Sequence, residues 1–219
     1  MLPSGNDVRE VYLGENGVFT SEIKTPFLID CSTIDIQTAR EVSSKAEDLT
    51  LVMFDAPVSG GIMGAEAGTL TIMVGGAEKH FENVEPILKV MGTNVIYAGK
   101  AGNGQVAKVC NNMILGVSMI GVCEAFVLAE KLGLAHQKLF DISSKASGQC
   151  WSLTSYCPVP GPVPNSPANN KYRAGFTGQM MLKDLNLSQE AANSCGVSAA
   201  LGAEAVSLFK LFEQAGYSD

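Results

Sequence analysis

The sequence predicts an α/β unit, built on a parallel sheet with helices on its faces, followed by an all-α unit. Three observations carry this prediction. Short apolar runs alternate with amphipathic stretches as far as about Gly99. A proline-free apolar stretch from Gly104 to about Leu132 then has helical spacing. Every later periodic segment is helical as well. The domain boundary falls at Ala98–Gly102, giving residues 1–101 and 102–219.

The elements follow in order. Phe27-Leu28-Ile29-Asp30-Cys31 is an apolar run with a polar end, as a buried parallel strand should be. Ser32-Thr33 offers an N-cap for a helix running through about Lys45. Leu51–Phe54 is a second strand. The segment after it, Asp55-Ala56-Pro57-Val58-Ser59-Gly60-Gly61, reads as a loop that continues neither strand nor helix. Leu70–Val74 is a third strand and Asn94–Tyr97 a fourth. Between them lies a helix from about Glu78 to Met91, with Phe81, Val84, Ile87, Leu88 and Met91 on its apolar face. In the second unit Val106, Val109, Cys110, Met113, Ile114, Val117 and Ile120 predict a long, largely buried helix. Helical patterns return at 137–144, 182–192 and 197–215. The proline-rich stretch from Cys157 to Asn170 is irregular.

Composition excludes several classes. The 219 residues are 46% hydrophobic and 17% charged, enough for a real core. A net charge of −7 without a basic stripe argues against nucleic acid. The six cysteines form no C-x-x-C pair and the two histidines are far apart, so no zinc site is expected. Most of the cysteines read as reduced core residues, in keeping with a reducing compartment. No apolar run is expected to reach the roughly 20 residues of a membrane span, and Met1-Leu2-Pro3-Ser4-Gly5 lacks the pattern of a signal peptide. The start reads instead as a strand end entering a loop.

Three segments offer chemistry. Ser59-Gly60-Gly61 presents a hydroxyl and open backbone N–H groups beyond a strand's carboxyl end, where a small anion can approach, although its spacing alone favours an ordinary Gly-rich turn. Gly102-Asn103-Gly104 opens the long helix, and Lys108 and Asn112 stand at i and i+4 on one apolar face. Such a lysine either snorkels to solvent or, beside an amide in a cleft, exchanges a proton with a substrate hydroxyl. Lys183-Asp184 is either a surface pair or a group directed at a cofactor.

Taken in order, these segments resemble the β-hydroxyacid dehydrogenases, and within them the 3-hydroxyisobutyrate dehydrogenase branch. The motifs are Met1-Leu2-Pro3, Asp30-Cys31-Ser32-Thr33-Ile34, Asp55–Gly61, Gly102-x-Gly104-x-x-x-Lys108-x-x-x-Asn112 and Lys183-Asp184-Leu185. The branch assignment rests on Ser147-Gly148-Gln149-Cys150-Trp151-Ser152, Pro158-Val159-Pro160-Gly161, Asn169-Asn170-Lys171-Tyr172 and Gly175-Phe176. The resemblance implies a partial Rossmann-like sheet and a helical domain that serves substrate binding and oligomerisation. It implies hydride transfer between NAD and a small 3-hydroxy acid, with 3-hydroxyisobutyrate oxidised to methylmalonate semialdehyde in valine breakdown.

The resemblance also assigns residues. Lys108 would take the hydroxyl proton. Ser59, Gly60, Gly61 and Asn112 would hold the substrate. Leu2, Pro3, Asp7, Thr33, Phe176 and Lys183 would line the cofactor, and no metal is involved. Members of the family open with a strand and a G-x-G-x-x-G turn for the pyrophosphate, which this sequence does not contain. Measured against that resemblance, the chain is expected to be shortened at its front and cut after Asp219. Tartronate semialdehyde or glycerate is the alternative substrate. A non-catalytic binding form, or a short form acting only in oligomerisation, is the alternative role. A homodimer or homotetramer through the helical domain is implied, with no membrane and no nucleic acid as partner. The compartment would be the mitochondrial matrix in a eukaryote and the cytoplasm in a bacterium.

Overall fold

A computed structural model describes residues 1–173 and 175–217. The chain divides into two units, Met1–Cys110 with Glu190–Val197, and Asn111–Gln189 with Ser198–Asp219. The expected cut after Asp219 lies outside the described residues.

In the first unit, α1 (Gly5–Leu13), β1 (Phe27–Asp30) and α2 (Ile36–Asp48) lead to β2 (Val52–Asp55), β3 (Val58–Ser59) and α3 (Gly61–Glu66). Next come β4 (Thr71–Gly75), α4 (Phe81–Leu88) and β5 (Asn94–Gly99). The pairs β1·β2 and β4·β5 are parallel, as the alternation predicts. Two antiparallel pairings, β2·β4 with Asp55 opposite Gly75 and β3·β4, make the whole sheet mixed. Side chains alternate between its two faces. Leu28 and Met53 pack with Val8, Ile34, Ala39 and Val42 under α1 and α2. Ile29, Phe54, Ile72 and Val74 pack with Val84 and Leu88 of α4.

Several expectations need correction. Neither Ser32 nor Thr33 caps α2. Asp35 does, accepting the Thr38 backbone N–H, because Ser32 is occupied in the preceding turn. The Asp55–Gly61 segment is not a loop. Val58 and Ser59 pair with Ile72 and Thr71, continuing the register that Asp55 begins opposite Gly75. Pro57 sits within this run because its carbonyl, rather than its missing N–H, makes the bond, accepting from Met73. The helix predicted from Glu78 to Met91 is a 3-10 turn (Glu78–His80) followed by α4, and Ile87 and Met91 are exposed. The helix α1 was not anticipated, since its only fully buried residue is Val8. Its N-terminus is closed by Ser4, whose Oγ accepts the Asp7 N–H and donates to the Asp7 carboxylate.

The helix α5 (Asn103–Lys131) contributes residues to both units. The expectation of a largely buried helix fails for its later turns, where Ile114 is 67% exposed and Val127 and Leu128 are also exposed. Its 29 residues are also long and apolar enough, by length and composition alone, to cross a membrane. This corrects the expectation that no apolar run reaches that length.

The second unit adds α6 (His136–Ser143), α7 (Trp151–Thr154), α8 (Gly178–Ser194) and α9 (Ala200–Gln214). Here α7 is a further element that the sequence did not announce. One core gathers Phe126, Leu153 and Cys157, and a second gathers Met181, Leu185 and Ala205. At Gly116 α5 passes close to α8, since a Cβ there would press on the Leu185 side chain. Only Cys157 is buried. Cys110, Cys123 and Cys195 are exposed, so the reading of most cysteines as core residues was wrong.

Candidate active site

In the first unit the site is organised by the start of α5. Asp55, at the end of β2, is 5% exposed, and its carboxylate accepts the backbone N–H groups of Gly102 at 2.7 Å and Gln105 at 3.0 Å. A helix N-terminus has N–H groups without intrahelical partners, and a carboxylate there satisfies them and complements the dipole. Burial pushes the Asp55 carboxyl above its ordinary value, while its backbone hydrogen bonds hold it down. Gly104 is required at this junction. A Cβ there would meet the backbone carbonyls of Met73 and Asp55. Lys108 follows one turn later and is only 7% exposed. Burial of an ammonium group on an apolar helix is unusual and marks a functional candidate.

The same helical turn holds the predicted cofactor segment. Gln105 is fully buried. Its Nε2 donates to the Ser32 carbonyl at 2.8 Å, and its Oε1 accepts the Ile34 N–H at 3.1 Å. Ser32 is itself pinned. Its Oγ donates to Asp30 at 2.6 Å and accepts the Leu2 N–H at 2.7 Å. Leu2, Thr33 and Lys108, separate in sequence, are thus carried by segments joined through one buried hydrogen-bond network. Burial, with the Asp30 charge next, pushes the Cys31 thiol up, which disfavours the thiolate. Tyr12, beside this network, is pushed up to about 12, again chiefly by burial.

Ser59 ends β3, and Gly60 and Gly61 open α3 with φ of 137° and 61°. Only glycine takes both angles without strain. Open space surrounds the Cβ position of Gly61, so its backbone is accessible to a ligand. Pro3 is exposed and leads into α1, and Asp7 is exposed in the cap of α1.

In the second unit Asn112 is 1% exposed, and its Nδ2 donates to the carboxylate of Asp184 on α8. Its Oδ1 accepts from Asn111 at 3.0 Å. Lys183 lies 3.5 Å from Asp184 and is exposed, in the second turn of α8 rather than at its opening. Phe176 packs with Met181 and Leu185. The Tyr156 hydroxyl faces the N–H groups of Gly175 and Phe176, and burial raises its pKa.

Sequence reasoning missed Gln105, Asp55, Asp184 and Tyr156 as supports of the site. The signal for Gln105 was present, since a glutamine lies inside an apolar helical pattern, but its partner is 71 residues away.

The comparisons with known proteins bear on these two sets of residues. A model of the NAD-binding domain of 6-phosphogluconate dehydrogenase matches residues 1–99. A model described as the NAD-binding of NADP-dependent 3-hydroxyisobutyrate dehydrogenase matches residues 102–219. A probable 3-hydroxyisobutyrate dehydrogenase of Mycobacterium tuberculosis is 48% identical over 97% of this chain and 71% of its own length. The chain belongs to the 3-hydroxyisobutyrate dehydrogenase family. The mitochondrial enzyme of Mus musculus is 44% identical over all of this chain, which spans 65% of the mouse protein. A solved structure of the M. tuberculosis enzyme with L-serine superposes with a TM-score of 0.92 at 47% identity, covering 100% of this chain and 74% of that one. As a member of the family, the chain is an NAD-dependent dehydrogenase with a Rossmann-like nucleotide-binding part.

The residues present suit one half of that cofactor. The turn around Thr33 carries no lysine or arginine, which suits it to a neutral ribose or carboxamide rather than to a phosphate. Bound NAD supplies the hydride acceptor.

Proposed function

We propose that the chain acts in the oxidation of 3-hydroxyisobutyrate to methylmalonate semialdehyde, a step of valine degradation. The observation that carries this reading is Lys108, buried to 7% exposure on a helix whose first turn is fixed by Asp55. Lys108 takes the hydroxyl proton as hydride leaves the same carbon, which is general-base catalysis by a positioned amine. Ser59 and the backbone N–H groups of Gly60 and Gly61 hold the substrate carboxylate. Asn112 steadies the hydroxyl or carboxylate, with its amide oriented by Asp184. Leu2, Pro3, Thr33, Phe176 and Lys183 line the cofactor. Asp7 is the weakest member of that set, because its observed partner is the Ser4 cap.

The substrate class is that of short 3-hydroxy acids. L-serine, present in the related structure, shares the 3-hydroxy carboxylate and supports this class. Residues 1–101 serve the cofactor, and 102–219 serve substrate and oligomerisation. The exposed apolar residues Ile114, Val127 and Leu128 of α5 support a homodimer or homotetramer. The compartment is the mitochondrial matrix in a eukaryote, a reading supported by the mitochondrial relative of Mus musculus, and the cytoplasm in a bacterium.

The test is steady-state kinetics with 3-hydroxyisobutyrate, L-serine and glycerate on the protein as its gene encodes it. The highest kcat/KM is expected with 3-hydroxyisobutyrate. A higher value with glycerate would move the assignment to that substrate.

A further inference from the structure

Glutamine is a costly residue to bury, because its amide carries both donors and an acceptor that water would otherwise satisfy. Gln105 is fully buried and meets that demand in a specific way. Both ends of its amide bond to the backbone of one short turn, at Ser32 and at Ile34. Those peptide groups flank a single residue, Thr33. The two bonds have opposite polarity, with Nε2 giving a proton and Oε1 receiving one, so the amide has one orientation and the turn one position. The backbone N–H of Gln105 is fixed in turn by Asp55. On the other side of the turn, Ser32 is tied to Asp30 and Leu2.

We propose that Gln105 is a positioning residue for the cofactor, clamping the Thr33 turn to the first turn of the helix that carries Lys108. This rests on the proposed placement of the cofactor at Thr33 and of the proton acceptor at Lys108. Gln105 and Lys108 are three residues apart on α5, close to one helical turn. A single rigid element therefore sets both the wall that receives the nicotinamide ribose and the amine that receives the proton. An apolar side chain of the same size would fill the same space, but it would leave the peptide groups on either side of Thr33 without fixed partners.

The experiment compares wild type with Gln105→Met and Gln105→Glu in the protein as its gene encodes it. Gln105→Met keeps the length and removes both bonds. It is expected to raise the NAD Kd about tenfold by calorimetry, while the hydroxy-acid KM moves less than about twofold. Amide hydrogen exchange at Ile34 should accelerate in the same variant. Gln105→Glu keeps the acceptor for Ile34 and loses the donor to Ser32. Protonation of the new carboxyl restores an O–H donor, so its NAD Kd should return toward wild type as pH falls from about 8 to about 5. Wild type, assayed in parallel, lacks that recovery. The Gln105→Glu profile also decides the matter if Gln105→Met fails to fold.

Unchanged NAD affinity with faster exchange at Ile34 would overturn the proposal, leaving a purely structural clamp. So would equal losses toward NAD and hydroxy acid, or a Gln105→Glu profile parallel to wild type. The underlying functional reading fails separately, through turnover retained in Lys108→Ala or wild-type protein that binds no NAD.

Discussion

Asp55 at the end of β2 caps the helix that carries Lys108, its Oδ1 lying 2.7 Å from the backbone nitrogen of Gly102. The cap comes from a strand 47 residues earlier rather than from the helix's own leading residues. Removing it as Asp55→Ala leaves buried N–H groups without an acceptor. We expect a loss of about 2–4 kcal/mol in urea unfolding. A loss below about 0.5 kcal/mol would show that water replaces the carboxylate.

The same carboxylate gives a pH signature. Its folded pKa lies above the ordinary 3.8. The fold therefore favours the protonated form, and this contribution is fully present below 3.8 and lost as pH rises through the raised value. Asp55→Asn removes the titration. Wild type should lose stability relative to Asp55→Asn across the window just above 3.8 and hold a constant difference at higher pH. Urea midpoints measured across that range check the sign, and a difference moving the other way would contradict it.

Lys108→Ala should lower kcat by about 10²–10⁴-fold and leave the NAD Kd within about threefold. Lys108→Arg should be equally inactive, because a guanidinium does not give up its proton near neutral pH. Stopped-flow single turnovers separate the chemical step from binding. Turnover near wild type in either variant removes Lys108 from the mechanism.

Gly104→Ala should cost about 1–3 kcal/mol, since its methyl would run into the Met73 and Asp55 carbonyls. Gly61→Ala has open space and costs only the strain of φ at 61°, about 1 kcal/mol. If the two variants melt together, the close approach of α5 to the sheet is not the reason for glycine at 104.

In the second unit Asn112→Asp would set a second carboxylate against Asp184. Both residues are buried, so about 2–4 kcal/mol should be lost at neutral pH and regained in part on acidification. Asn112→Asp with Asp184→Asn should restore most of the loss. A double-mutant cycle with no coupling would show that the pair does not interact in solution.

The sequence by itself determined the alternation of strand and helix to about Gly99, because buried strands and amphipathic helices have different periods. It also determined the long helix after Gly104, and the glycines and lysine that mark the family. These are local signals, readable in a window of a few residues. The tertiary structure alone decided that Val58 and Ser59 continue a strand, since their partners Ile72 and Thr71 come later in the chain. It alone decided that Asp35 rather than Ser32 caps α2. Ser32 is equally suited by type, but Leu2 and Asp30 have claimed its hydroxyl. The same holds for Gln105 and Asp55. A buried polar side chain is stable only where its hydrogen-bond partners converge, and here those partners lie 47 to 73 residues away. Local pattern names such residues, and only the folded chain shows what each one holds.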